Sequence, residues 1–133
     1  MNNKRFDLSN KTALITGAAG LLGPQHSAAL LEIGAKIIIT DISKYKLNIV
    51  KDNLKINFPD RIVESYIMDV SDFFSIKKVQ NSLSKKKIHV DILVNNAAID
   101  PKVDKEANSA NLSRFEQLTK DTWDSEISVG LTG

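Results

Sequence analysis

Three glycines at regular intervals, Gly17, Gly20 and Gly23, sit in the stretch ALITGAAGLLGPQHSAAL, between an apolar run and an amphipathic one. Glycine is a poor residue in strands and in helices, so a triplet at this junction marks backbone that must approach something closely. A diphosphate requires that geometry. Unpaired N–H groups at a helix start point outward, the helix dipole adds roughly half a positive charge there, and a β-carbon would hold the phosphates away. An acid follows at the end of the next apolar run. Asp41, in IIITDIS, lies about 24 residues beyond Gly17, close to the ~20 expected of a ribose-binding carboxylate. It suits the 2′- and 3′-hydroxyls of an adenosine ribose and repels a 2′-phosphate. Neither Ala18 nor Ala19 supplies an offsetting cation, and Lys44 is the nearest one afterwards. The expected ligand is therefore NAD in preference to NADP, on a floor of Gly17, Ala19, Gly20, Leu21, Leu22 and Gly23, with Asp41 and Ile42 at the rim. The competing reading of Asp41 is a loop-capping residue.

The elements that must position these groups alternate between short β-branched runs and longer helical ones. TALIT (12–16) is a continuous apolar run, as expected of a strand covered on both faces. Leu21 to Ile33 has helical spacing, with Pro24 near the start, where a missing N–H costs nothing, and Gly34 at the end. AKIIIT (35–40) is a second strand, and Ser43 caps a helix to about Ile56. RIVESYIM (61–68) is a third strand, and Ser71 is expected to cap a helix from Asp72 to Lys85. VDILVN (90–95) is a fourth strand. The polar stretch 100–113 predicts a surface loop, and Asp121 is expected to cap a last helix carrying Trp123, Ile127 and Leu131 on one stripe. Such alternation predicts a doubly wound α/β fold with a parallel sheet in the order 3-2-1-4, organised as one dinucleotide-binding domain over residues 1–133.

Composition excludes several other classes. At 133 residues, with a net charge of +2, the chain has neither the length for several domains nor the basic stripe of a nucleic-acid binder. Lys85, Lys86 and Lys87 form the densest basic run, expected as a solvated helix end. The absence of cysteine removes disulfides, thiolate metal sites and a cysteine nucleophile together. No stretch has membrane-spanning length or the form of a secretion signal, so a cytoplasmic location is expected, with no membrane partner and no metal. His26, His89, Tyr45 and Trp123 are expected in structural roles.

Taken together, TGAAGLLG (16–23), Asp41, MDVSD (68–72), LVNNAA (93–98) and WDSEISVGLTG (123–133) resemble the short-chain dehydrogenase/reductase family over essentially the whole chain. The resemblance implies hydride transfer between a nicotinamide cofactor and an alcohol or carbonyl substrate, and a homo-oligomer. It implies that Asp69 accepts from the adenine amino group and that Val70 offers backbone, whereas the residues alone allow Asp69 to cap the next helix. It also places Asn95, Ala97 and Ala98 along the cofactor, with backbone favoured over either amide of the Asn95–Asn96 pair and the first asparagine tying the central strands together. The glycine spacing is TGxxGxxG, as in the family's sugar-nucleotide branch, while the NNA segment and LTG look like its main branch.

The family's proton transfer relies on a tyrosine with a lysine four residues on, because a phenol of pKa ~10 needs a nearby cation to act near neutrality. This chain has only Tyr45 and Tyr66, followed at that distance by Ile49 and Val70, and Gly130 stands where the family often has asparagine. No catalytic residue is therefore assigned. The expectation is a front half that binds cofactor and is inactive alone. A noncatalytic dinucleotide-binding or sensor module and a nucleotide-sugar epimerase or dehydratase are the alternatives.

Overall fold

The run Thr12–Ile15 is buried at every position and forms β1, an inner strand of the sheet. The computed structural model describes residues 6–99 and 118–133. After β1 come α1 (Gly23–Glu32), β2 (Lys36–Asp41), α2 (Lys44–Asn57), β3 (Val63–Ile67), α3 (Phe73–Lys85) and β4 (Ile92–Val94). The four strands form one parallel sheet in the order β3-β2-β1-β4, as the sequence predicts. Strand order reverses beside β1, which makes the carboxyl ends of β1 and β4 the crevice where open α/β sheets take ligands.

Strand alternation divides the core into two layers. Ala13 and Ile15 of β1 join Ile37 and Ile39 of β2 and Val63 of β3 on one face, where Leu31 of α1 and Leu47 and Leu54 of α2 cover them. Leu14 and Ile38 point the other way and pack with Met68 and with Val79 and Leu83 of α3. Ile15, Ile37 and Ile39 are fully buried, and each contributes about 1.5–3 kcal/mol relative to exposure. The chain divides into two units, Met1–Ala97 and Ala98–Gly133. Within the second, α4 (Lys120–Ile127) continues into a π-helical turn, Ser128–Thr132. The polar stretch 100–113 lies outside the described residues.

Several local expectations change. Asp72, not Ser71, caps α3, its carboxylate accepting from Phe74 N–H at 2.9 Å. Ser71 instead turns back on Asp69, donating to its Oδ1 from both N–H and hydroxyl. Thr119 caps α4 by accepting from Thr122 N–H, which leaves Asp121 inside the first turn, where its charge still complements the dipole. Lys86 does more than end α3 in solvent. Its ammonium donates to Glu64 Oε2 at 2.7 Å and lies 5.4 Å from the centre of the Tyr66 ring. Asp91 joins β4 to β1 by accepting from Thr12 N–H at 2.9 Å and from Lys11 Nζ at 3.1 Å.

Two predictions follow from this packing. Ile39→Ala empties a fully buried position between β2 and its covering helices, and should cost about 2–5 kcal/mol in denaturant unfolding. The Lys86 and Tyr66 donors hold the Glu64 carboxyl below its ordinary 4.5, and the Thr12 N–H and Lys11 hold Asp91 below 3.8. A carboxyl depressed on folding stabilises fully above its unfolded pKa and loses that contribution as pH falls through the folded one. Urea midpoints should therefore hold from about pH 7 to pH 5 and fall below about pH 4.5, with a smaller fall in Glu64→Gln.

Candidate cofactor-binding site

The turn between β1 and α1 is held by its own glycines, which divide the work unequally. Gly17 has φ +58°, the left-handed region, and a β-carbon there would lie 2.6 Å from Ala97 Cα at the end of β4. Gly23 has no such dihedral, but a β-carbon would meet Ala18 Cα at 2.4 Å, so it lets α1 close onto the turn. These two glycines serve contact between chain segments, which narrows the sequence reading that all three open the backbone to a ligand. Gly20 is the exposed one, and its missing β-carbon would touch only Gly17 O, at 3.2 Å. A tight first glycine, an open second and a packing third are the roles that a pyrophosphate-binding turn requires.

The start of α1 carries no side-chain cap and no acid in its first turn, and Pro24 occupies an early position where no donor is needed. Ala18 N–H is taken by Thr40 O and Gly20 N–H by Gly17 O. Among the described residues none accepts from Leu21, Leu22 or Gly23 N–H. Three N–H groups at the positive end of a helix thus have no acceptor among the described residues, two of them on the exposed Leu21 and Leu22. Leu21 and Leu22 are exposed on this turn, and Ile42 is exposed beside Asp41.

Asp41 closes the other side of the turn. Its Oδ2 accepts from Ala19 N–H at 3.0 Å and its Oδ1 from Ser43 N–H at 2.9 Å. The carboxylate therefore does cap loop backbone. An ionised carboxylate offers about four lone-pair sites, so two remain. Capping and ligand binding are compatible at this residue.

The crevice floor is tied together at Thr16. Its hydroxyl oxygen accepts from Asn96 N–H at 3.1 Å and Ala97 N–H at 3.0 Å. The Asn96 side-chain amide donates to Thr16 O and Gly17 O, both at 3.0 Å. The second asparagine of the pair, not the first, thus joins β4 to β1, while Asn95 is exposed. Sequence reasoning did not assign Thr16 and the Asn96 amide this role in holding the floor together; a hydroxyl directly before the glycine turn was the available signal. Ala98 is exposed just beyond this floor. At the end of β3, Asp69 is half-buried and its N–H donates to Ser75 Oγ at 2.9 Å, while the Val70 side chain packs against the α3 layer.

One tyrosine and one lysine do meet, away from the crevice. Tyr66 donates to Glu64 Oε2 at 2.6 Å beside Lys86, and burial together with that carboxylate pushes the phenol's pKa up. With Lys86 at the end of α3 donating to the same carboxylate, the cluster braces β3 against α3. Tyr45 is exposed on α2. Among the described residues no group of His, Asp or Glu is arranged to hold a metal ion, and no helix is long and apolar enough to cross a membrane.

The unequal glycine roles are testable by thermal melting. Gly17→Ala and Gly23→Ala should each lower stability by about 2 kcal/mol or more, the first through left-handed strain and both through backbone collision. Gly20→Ala should cost less than about 1 kcal/mol, because one carbonyl oxygen alone needs to shift slightly.

Comparison with known proteins agrees with this geometry. The family model described as short chain dehydrogenase matches residues 11–133. The short chain dehydrogenase/reductase dpmpG of Macrophomina phaseolina is 34% identical over 127 residues, covering 96% of this chain and 67% of that protein. The 3-oxoacyl-(acyl-carrier-protein) reductase FabG of Thermotoga maritima is 33% identical, covering 95% of this chain and 46% of that protein. The crystal structure of a short chain dehydrogenase from Mycobacterium smegmatis superposes with a TM-score of 0.77 at 26% identity, covering 96% of this chain and 49% of that one. The chain thus spans about half the length of the last two. With its sheet order, glycine turn and matched residues, the chain belongs to the short-chain dehydrogenase/reductase family.

Proposed function

We propose that this chain is the NAD-binding portion of a short-chain oxidoreductase that moves hydride between NAD(H) and an alcohol or carbonyl carbon. The observation that carries the cofactor choice is Asp41. Two of its lone-pair sites hold Ala19 and Ser43, and the remaining two match the paired hydroxyls of an unphosphorylated ribose. A 2′-phosphate would meet that negative charge at close range. Gly20 and the free donors of Leu21, Leu22 and Gly23 would take the pyrophosphate, with Ala19 held in place among them. Leu21, Leu22 and Ile42 supply apolar rim for the rings. Asp69 and Val70 would face the adenine, and Ala97 and Ala98, beside exposed Asn95, would line the nicotinamide end. When bound, the cofactor supplies the hydride chemistry; the residues named here bind and orient it.

A small-molecule substrate, a homo-oligomer and a cytoplasmic setting belong to the same proposal and rest on family membership. A second reading, a noncatalytic dinucleotide-binding module, is favoured by one observation. Gly130 lies in the π-helical turn, and a glycine has no side-chain amide to relay a proton.

Calorimetric titration of the chain with NAD and NADP tests the cofactor reading. NAD should bind at least about tenfold more tightly, a difference of about 1.4 kcal/mol that charge repulsion screened by partial solvent can supply. Equal affinity for the two would refute it.

A further inference from the structure

We propose that Asp41 is also a positioning residue for the phosphate-binding turn, so that recognition of the ribose and of the pyrophosphate share one carboxylate. The inference rests on the cofactor reading for its ligand and on three observations for its mechanism. Asp41 Oδ2 holds Ala19 N–H at 3.0 Å, in the middle of the turn, from a strand end 22 residues away. Asp41 Oδ1 is itself fixed by Ser43 N–H at 2.9 Å, so the carboxylate cannot swing without breaking a second bond. The neighbouring Ala18 N–H is bound to Thr40 O at 2.9 Å, which ties two successive peptides of the turn to the end of β2. With Ala18 and Ala19 anchored to the end of β2, the N–H groups of Leu21, Leu22 and Gly23 follow without an acceptor among the described residues. Releasing Ala19 frees its flanking peptides, next to exposed Gly20, to rotate and disperse those donors. A hydrogen bond to an ionised acceptor is among the stronger ones, and an ordered turn spares the entropy of arranging its N–H groups around an anion.

The proposal opposes simple electrostatics, which makes it decidable by sign. Removing a negative charge beside a phosphate site should by Coulomb's law tighten anion binding. If Asp41 positions the turn, removing it should weaken anion binding instead. It follows that replacing Asp41 would not convert the chain to NADP use, because the pyrophosphate grip is lost together with the repulsion.

The test compares the unsubstituted chain with Asp41→Ala and Asp41→Asn, using inorganic pyrophosphate, NAD and NADP as titrants. Amide hydrogen exchange at Ala19 and thermal melting are measured without ligand. The expected result for Asp41→Ala is roughly tenfold or greater weakening of both pyrophosphate and NAD, with no gain for NADP. Ala19 exchange should accelerate about tenfold or more while amides in β1 and β2 remain protected, which a general loss of stability would not produce. Asp41→Asn, which can still accept from one of the two N–H groups, should fall between the two. Unchanged or tighter pyrophosphate binding in Asp41→Ala, with NAD alone weakened, would reduce Asp41 to a ribose ligand and overturn the proposal. Should the unsubstituted chain bind neither pyrophosphate nor NAD, the cofactor reading fails. The Ala19 exchange rate then decides positioning by itself: acceleration sustains it and an unchanged rate refutes it.

Discussion

The close approach of the β1–α1 turn to two other pieces of backbone is the constraint on which the site depends. On one side Ala97 presses against Gly17, and on the other Ala18 presses against Gly23, each nearer than any β-carbon would permit. Interiors pack at crystal-like density and do not deform continuously, so these approaches fix where the turn emerges from the sheet. Thr16 and Asn96 reinforce the first approach with four hydrogen bonds between the ends of β1 and β4. Only after the turn is held from both sides can its outer donors form a rigid surface for an anion.

The sheet supplies the other half of that rigidity. Ile15 and Ile39 are fully buried neighbours in register, and they set the ends of β1 and β2 side by side. That register brings Asp41 level with the turn that follows Ile15, within reach of Ala19. The proposed recognition groups thus sit on the ends of rigid strands, where a small displacement would cost the packing of the isoleucine layer. The charged clusters elsewhere play a different part. Lys86 with Glu64 and Tyr66, and Lys11 with Asp91, brace the surface and are partly open to solvent, so each contributes modestly.

Much of this architecture was legible from residue patterns. Continuous β-branched runs separated by amphipathic segments predict buried parallel strands with crossovers, and the sheet order 3-2-1-4 follows from connection rules that leave few topologies. The glycine triplet was legible as a place of close backbone approach, although at Gly17 and Gly23 what approaches is the chain itself. The caps were less legible. Ser71 and Asp72 are both good N-cap residues one position apart, and local preference does not separate them. Asp72 took the role because Ser71 was already committed to Asp69.

By itself the amino-acid order determined the elements, their sequence along the chain and the chemical types gathered at the carboxyl ends of the strands. Those properties arise from hydrophobic period and from residue-specific backbone limits, both local. Tertiary structure alone decided which of two adjacent asparagines joins β1 to β4, which of three glycines faces outward, and that Lys86 meets Tyr66 and Glu64. The asparagine turns on a partner 80 residues away and Lys86 on one 22 away. Contacts of that kind depend on how strands and helices pack in space, which no nearby pattern in the chain encodes.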